Sequence, residues 1–249
     1  MIVLVTGATA GFGLAIVRRF VKDGARVIAT GRRTDRLEAL RAELGPQVLP
    51  VTMDVRDREA VERAVQSLPA DFAEVDVLVN NAGLALGLEP AQAARPENWD
   101  VMVDTNVKGL LYCTHAVLGG MVARNRGHIV NMGSIASEFP YPGGNVYGGT
   151  KAFVRQFSLN LRADLHGTAV RVTDIEPGLV GGTEFSQVRF EGDAARAAAP
   201  YANTQPLTPE DIADAVHWVA TRPAHVNVNV LSVMPVVQSF GPLPIKRGP

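Results

Sequence analysis

A chain of 249 residues, 47% hydrophobic and 20% charged, can hold one large domain or two small ones and falls in the ordinary globular range. Its 24 basic and 25 acidic residues give a formal charge of -1, which excludes a broad electrostatic grip on nucleic acid or anionic lipid. A single cysteine, Cys113, excludes an internal disulfide framework, and no apolar run approaches the roughly 18 residues of a membrane-spanning helix.

The chain opens on Ile2-Val3-Leu4-Val5 with no basic leader region, so a soluble cytoplasmic enzyme or binding protein is expected. β-Branched runs at about 2–6, 26–30, 47–53, 75–79, 127–133, 169–175 and 226–232 predict strands. They are near-continuously apolar, as parallel strands covered on both faces should be. Leu14, Val17 and Val21 mark a first helix, Leu37, Leu40 and Leu44 a second, and Val61, Val65 and Leu68 a third. Two longer helices are expected at about 98–123 and 146–165. The alternation predicts one α/β domain over 1–249, with a doubly wound, seven-stranded parallel sheet, helices on both faces and ligands at its carboxyl edge. The interval 178–208 is the largest interruption and is expected to form a mobile flap over that edge, with Ala194 to Ala199 locally helical. A tail of about 233–249 follows; from Gly241 it carries three prolines and is expected to lie on the surface or a partner subunit.

The first strand runs into Thr6-Gly7-Ala8-Thr9-Ala10-Gly11-Phe12-Gly13 and then a helix. Glycines allow a tight turn and close backbone approach, and a helix N-terminus offers free N–H groups to a pyrophosphate. A reader of NAD places a carboxylate about 20 residues past the first glycine to hold the ribose 2′-hydroxyl. Residues 28–33 are Ile-Ala-Thr-Gly-Arg-Arg, without one. Arg32 and Arg33 can pair with the 2′-phosphate of NADP, or stand solvated before the next helix. Asp54 has two uses open: a bond to the adenine amino group, or a cap on the helix beginning near Asp57. Asn81, in Asn80-Asn81-Ala82-Gly83, is placed to face the adenine-side ribose.

Tyr147 and Lys151, four residues apart, share a helix face. A phenol titrates near 10, too high for a base near neutrality, and a neighbouring ammonium favours its ionised form. Ser134, thirteen residues earlier at a strand end, can bring its hydroxyl to the same carbonyl oxygen as the phenol. Asn106 falls mid-helix, where Asn has modest propensity, and its polar neighbours invite a bond to a water or a backbone group.

T-G-x-x-x-G-x-G, N-N-A-G, N-V-x-G, the serine of the fifth strand, Y-x-x-x-K and Pro177-Gly178 occur in this order. Together they resemble the short-chain dehydrogenase/reductase family over essentially the whole chain. The resemblance implies a Rossmann-like fold and a catalytic tetrad of Asn106, Ser134, Tyr147 and Lys151. Tyr147 would be the acid or base, Ser134 would orient the carbonyl, and both would meet substrate. Lys151 would hold the nicotinamide ribose and lower the phenol, Asn106 would anchor a water in the proton path, and Pro177-Gly178 would back the nicotinamide. Gly143 to Tyr147, Lys151 to Phe157, Asp174 to Phe185 and His225-Val226-Asn227 further resemble one branch. These are the bacterial NADP-dependent 3-hydroxy acid dehydrogenases, also described as L-allo-threonine or serine dehydrogenases and malonic semialdehyde reductases. That branch implies a homotetramer and NADP(H) contacts from Gly7, Ala8, Thr9, Ala10, Gly11, Phe12, Arg32, Arg33, Asp54, Val55, Asn81, Tyr147 and Lys151. The loop Pro177-Gly178-Leu179-Val180-Gly181-Gly182-Thr183-Glu184-Phe185 would add to them. Two residues depart from the family pattern. Gly149 replaces a usual Ala or Ser, removing a side chain beside the active face, and Ser137 stands where Gly often does.

Arg189, in the flap, can meet a substrate carboxylate or be a solvated loop residue; Glu176 can meet an ammonium or make a structural hydrogen bond. The five histidines show no close metal-ligand pairing, and no G-x-S-x-G elbow marks a hydrolase. A broader NADPH-dependent carbonyl reductase and a non-catalytic NADP-binding sensor are the rival readings, and the intact tetrad argues against the sensor. Lys151 is one of only four lysines in an arginine-rich chain, which favours a specific use for its compact ammonium.

Overall fold

The computed structural model describes residues 1–241; the end of the expected tail, 242–249, lies outside the described residues. Seven strands form, β1 Ile2–Val5, β2 Arg26–Gly31, β3 Val48–Thr52, β4 Val77–Asn80, β5 Gly127–Met132, β6 Val170–Pro177 and β7 Val230–Val233. All pair in parallel, in the order β3-β2-β1-β4-β5-β6-β7. Alternate residues serve opposite faces: Val3 and Val5 join the apolar cluster containing Phe20 and Ile212, whereas Ile2 and Leu4 join the one containing Val117, Met121 and Leu161. Covering both faces with helices is what makes a strand such as β1 apolar at every position. The strand order reverses between β1 and β4, which opens a crevice at the carboxyl edge.

The helices are α1 Gly11–Lys22, α2 Thr34–Leu44, α3 Arg58–Gln66, α4 Pro96–Val103, α5 Leu110–Ala123, α6 Asn145–Asp164, α7 Phe185–Arg189, α8 Ala194–Ala198 and α9 Pro209–Ala220. Among the described residues no helix is long and apolar enough to cross a membrane. Three elements differ from expectation. The helix expected at 98–123 is divided by a π turn at Asp104–Gly109. Asn106 lies in that turn, its side chain bonded to the backbone of Leu84, and such an insertion in the helical ladder commonly marks a functional site. Helix α9 was not among the expected elements, although Thr208 and Asp211 cap it reciprocally with Pro209 between them. The last strand starts late, at Val230, because the Asn227 side chain takes both backbone groups of Val172, at 2.8 and 2.9 Å, in place of a ladder pair.

Gly149 does not border the active face. It is exposed on α6, and a methyl there would meet nothing within 4 Å. Ala at this position gains helix propensity of about 1 kcal/mol. Gly149→Ala is therefore expected to raise Tm by about 2–4 °C, read by thermal unfolding, with kcat unchanged.

Candidate active site

The glycine turn after β1 is shaped by its lack of side chains. Gly7 takes a φ of +67°, and a methyl on Gly13 would stand 2.2 Å from the Gly7 carbonyl oxygen. Ala8 is tied to β2 through its N–H to the Thr30 carbonyl, at 2.8 Å. Ala10 is the N-cap of α1, and neither a side-chain cap nor an acid in the first turn, which begins Gly11-Phe12, occupies its N-terminus. Those N–H groups face the crevice and can hold an anion. Asn81 braces the turn from β4, its amide donating to the carbonyls of Thr6 at 2.8 Å and Gly7 at 3.2 Å. The Thr6 hydroxyl accepts the N–H groups of Asn81 and Ala82, at 3.0 and 2.9 Å. Thr6 was not among the expected site residues, although it begins the motif.

Beyond this turn, the two expected arginines separate. Arg32 is exposed, whereas Arg33 turns back over the loop and donates to the Thr9 hydroxyl at 2.7 and 3.0 Å. Its third bond, 2.7 Å long, reaches Glu184, and Arg36 binds the other oxygen of Glu184 at 2.7 Å. Arg36 belongs to this cluster and was missed, since nothing before folding separates it from other surface arginines. Its guanidinium and that of Arg33 hold the Glu184 carboxyl below the usual range. Asp54 does not cap α3; Asp57 does, accepting the Ala60 N–H at 3.0 Å. Asp54 is instead gripped by Arg56, at 2.6–3.1 Å, which keeps it ionised to lower pH. Val55 is buried against Gly109 of the π turn.

At the other end, the side chains of the expected tetrad converge. Tyr147 is 9% exposed on α6, with Ser134 equally buried at the end of β5. Burial pushes the phenol up to about 12, while a hydrogen bond from Ser134 and the charge of Arg189 act in the opposite direction. Lys151 reaches back from α6 to donate to the Met132 carbonyl at 2.7 Å, with Nζ 5.8 Å from the Tyr147 ring centre. Desolvation lowers its ammonium to about 8, and the Asp174 charge opposes that fall. Gly83 lies between Lys151 and Asn106: a methyl on it would stand 3.2 Å from Asn106 Oδ1 and 3.6 Å from Lys151 Nζ. Asn106 accepts the Leu84 N–H at 2.9 Å and donates to the Leu84 carbonyl and the Thr150 hydroxyl. The Leu84 backbone is thus one of the two partners expected for it.

The segment after β6 spans the crevice. Gly178 donates to the Val233 carbonyl and Gly181 to that of Leu207, both at 2.8 Å, while Val180 bridges to Leu207. Leu179 donates to Gln238 Oε1 at 2.7 Å, so the tail supports the Pro177-Gly178 turn. Gln238 was not foreseen; a lone amide in an irregular tail gives no signal. Thr183 packs at Gly11 beside Gly182, Glu184 meets Arg33, and Phe185 stacks edge-on against Tyr147 with ring centres 5.9 Å apart. Arg189, at the end of α7, donates to the Gly87 carbonyl at 2.9 Å and the Tyr141 hydroxyl at 3.1 Å. Its guanidinium carbon lies 5.7 Å from the Tyr147 ring centre, with no carboxylate partner among the described residues. Glu176 has the structural of its two open roles. It is 1% exposed, gripped by Arg155 at 2.8 Å, and accepts the Ser137 hydroxyl at 2.5 Å, so Ser137 has a use that Gly could not supply.

Comparison with known proteins agrees with this geometry. A family model described as short chain dehydrogenase matches residues 1–194. The chain is 68% identical over 247 residues to an NADP-dependent 3-hydroxy acid dehydrogenase of Salmonella typhi, covering 99% of this chain and 100% of that protein. Among solved structures, the closed form of a serine dehydrogenase complexed with NADP+ superposes with a TM-score of 0.99 at 64% identity, over 100% of both chains. A serine dehydrogenase from Escherichia coli superposes at 0.87 with 60% identity, over 96% of this chain and 100% of that one. The chain belongs to the short-chain dehydrogenase family.

Proposed function

We propose that the chain is an NADP-dependent oxidoreductase of small 3-hydroxy acids, of the serine, L-allo-threonine or 3-hydroxypropionate/malonic semialdehyde type. The observation that carries this reading is Arg189, a guanidinium with no carboxylate partner among the described residues, fixed beside the ring of Tyr147. The relatives support it by their own activities. The crevice fits NADP: its glycine turn has no room for side chains, the N-terminus of α1 is uncapped, and Arg33 lies over Thr9 where a 2′-phosphate needs positive charge. When bound, NADP(H) supplies or accepts the hydride. The flap, 178–208, then covers the crevice.

In this reading Tyr147 Oη gives the proton to the carbonyl oxygen in reduction and takes it from the hydroxyl in oxidation. The Ser134 hydroxyl holds that same oxygen. Lys151 Nζ brings a positive charge beneath the phenol and binds the nicotinamide ribose. Asn106 fixes Leu84 and the π turn beside Lys151. Arg189 draws the substrate carboxylate, which orients the 3-carbon toward Tyr147, while Phe185 excludes water from the phenol. We place the enzyme in the cytoplasm as a homotetramer, an assembly for which the exposed apolar Val122, Phe153 and Leu159 on α5 and α6 offer contact surface.

The test is one screen of NADPH oxidation and NADP reduction over hydroxy acids, semialdehydes and uncharged ketones, with Arg189→Ala alongside. Loss of a charge-assisted contact predicts about a 10- to 100-fold rise in KM for the acids and none for the ketones. Turnover of ketones with the acids inert would instead make the enzyme a broader carbonyl reductase. An equal KM change for both classes would reject Arg189 as the carboxylate partner.

A further inference from the structure

Beneath the Tyr147/Lys151 pair lies an acid that no hydrogen bond satisfies. Asp174 sits on β6 opposite Asn131 of β5 and has no exposed surface; among the described residues neither carboxyl oxygen has a well-formed hydrogen bond, and the neighbouring Gly133 N–H is given to the Ile175 carbonyl at 2.7 Å. Buried polar groups are nearly always paired, and an isolated buried carboxylate is strongly disfavoured. Its carboxyl lies against Gly133, where a methyl would stand 2.4 Å from Oδ1. Lys151 Nζ ends at the preceding residue, on the Met132 carbonyl.

The other charges around Asp174 are Glu176 on β6 and Arg155 on α6. Arg155 is committed to Glu176 and Glu138, at 2.8 and 3.0 Å. Lys151 is therefore the one nearby cation that pairs with no carboxylate among the described residues. Burial and the charge of Glu176 push Asp174 up to about 7, against the pull of Lys151 and Arg155. The field of Asp174 acts on Lys151 in the opposite sense, opposing its desolvation.

We propose that Asp174 is a positioning residue for proton transfer, a buried counter-charge that keeps the Lys151 ammonium charged beneath Tyr147. The proposal rests on the reading of Lys151 given above. Without an anion behind it, a desolvated ammonium gives up its proton at lower pH, and the phenol then loses its positive neighbour.

The chain has four lysines, so selective labelling at lysine Cε gives a carbon NMR spectrum simple enough to titrate, with the Lys151 signal assigned through Lys151→Arg. Asp174→Asn is expected to lower the Lys151 midpoint by about one pH unit or more. The Tyr147 phenol, without its positive neighbour, should then keep its proton to higher pH, so the alkaline fall of reduction and rise of oxidation should both move up. A Lys151 midpoint that stays in place overturns the proposal. Should Asp174→Asn fail to fold, Lys151→Met reads the same coupling from the other side. The infrared band of a buried carboxylic acid should then persist to higher pH than in the parent protein; identical carboxyl titrations would overturn the proposal. These titrations need no substrate. A shifted Lys151 midpoint together with no turnover of hydroxy acids would leave Asp174 in its role and reject only the proposed substrate.

Discussion

Tyr147→Phe is expected to lower turnover by about 10²- to 10⁴-fold, the range that a positioned acid or base contributes, while NADP affinity changes only a few-fold. The substitution removes one oxygen from a ring that stays packed against Phe185. The pH dependence adds a second readout. With burial holding the phenol up to about 12, the group carries its proton at neutral pH. That is the form needed to protonate a carbonyl oxygen, whereas oxidation of a hydroxyl needs the proton gone. The Ser134 hydrogen bond and the Arg189 charge pull the phenol down and bring the ionised form closer to reach. As pH rises, kcat/KM for reduction should therefore fall and that for oxidation should rise, both through this one group. Tyr147→Phe should flatten both limbs, measured with NADPH and NADP. Turnover within tenfold of the parent enzyme, or an unaltered pH profile, would remove Tyr147 from the chemistry.

The parts of this site legible in the sequence are those whose chemistry is local. The Gly7 turn announces itself because only glycine accepts its backbone and its close approaches, and Tyr147 with Lys151 because a four-residue spacing places both on one helix face. The sheet was legible because two-sided burial leaves central strands such as β1 and β4 almost wholly apolar. Partners brought together by topology were not. Glu184 reaches Arg33 across 151 residues, and Gln238 reaches Leu179 across 59, so no spacing rule links them. Asp174 begins one of the segments that resemble the 3-hydroxy acid dehydrogenases, but its isolation is visible only once β5, β6 and α6 close around it. The delayed start of β7 has a different cause: Asn227 imitates a strand with its side chain, and β-propensity does not register such a substitution. Helix α9 was overlooked despite a readable cap, since it follows directly on the long interruption at 178–208.

Arg33→Ala is the second large expected effect, a rise of about 10- to 100-fold in KM for NADP with little change for NAD. Arg33 is tied to Thr9 and Glu184, so its removal also breaks contacts that have nothing to do with a phosphate. The magnitudes separate the two contributions. The Arg33–Glu184 pair has both side chains 39% exposed, and a pair this open is worth at most about 1 kcal/mol. Losing it disturbs the turn under either cofactor, by about fivefold at most. A charge-assisted contact to a 2′-phosphate is worth about 1.5–3 kcal/mol, and only NADP carries that group. The NADP effect should therefore exceed the NAD effect by about tenfold or more. Arg36→Ala should show the same selectivity at smaller size, because its guanidinium touches the Thr9 carbonyl only at 3.5 Å and is otherwise held by Glu184. Adding Arg32→Ala to Arg33→Ala should deepen the NADP loss, since the exposed Arg32 side chain is free to turn toward the same phosphate. Steady-state kinetics with each cofactor at saturating substrate measures all three variants. Equal losses with NADP and NAD would reduce Arg33 to a brace for Thr9 and Glu184 and leave the cofactor preference without a residue to account for it.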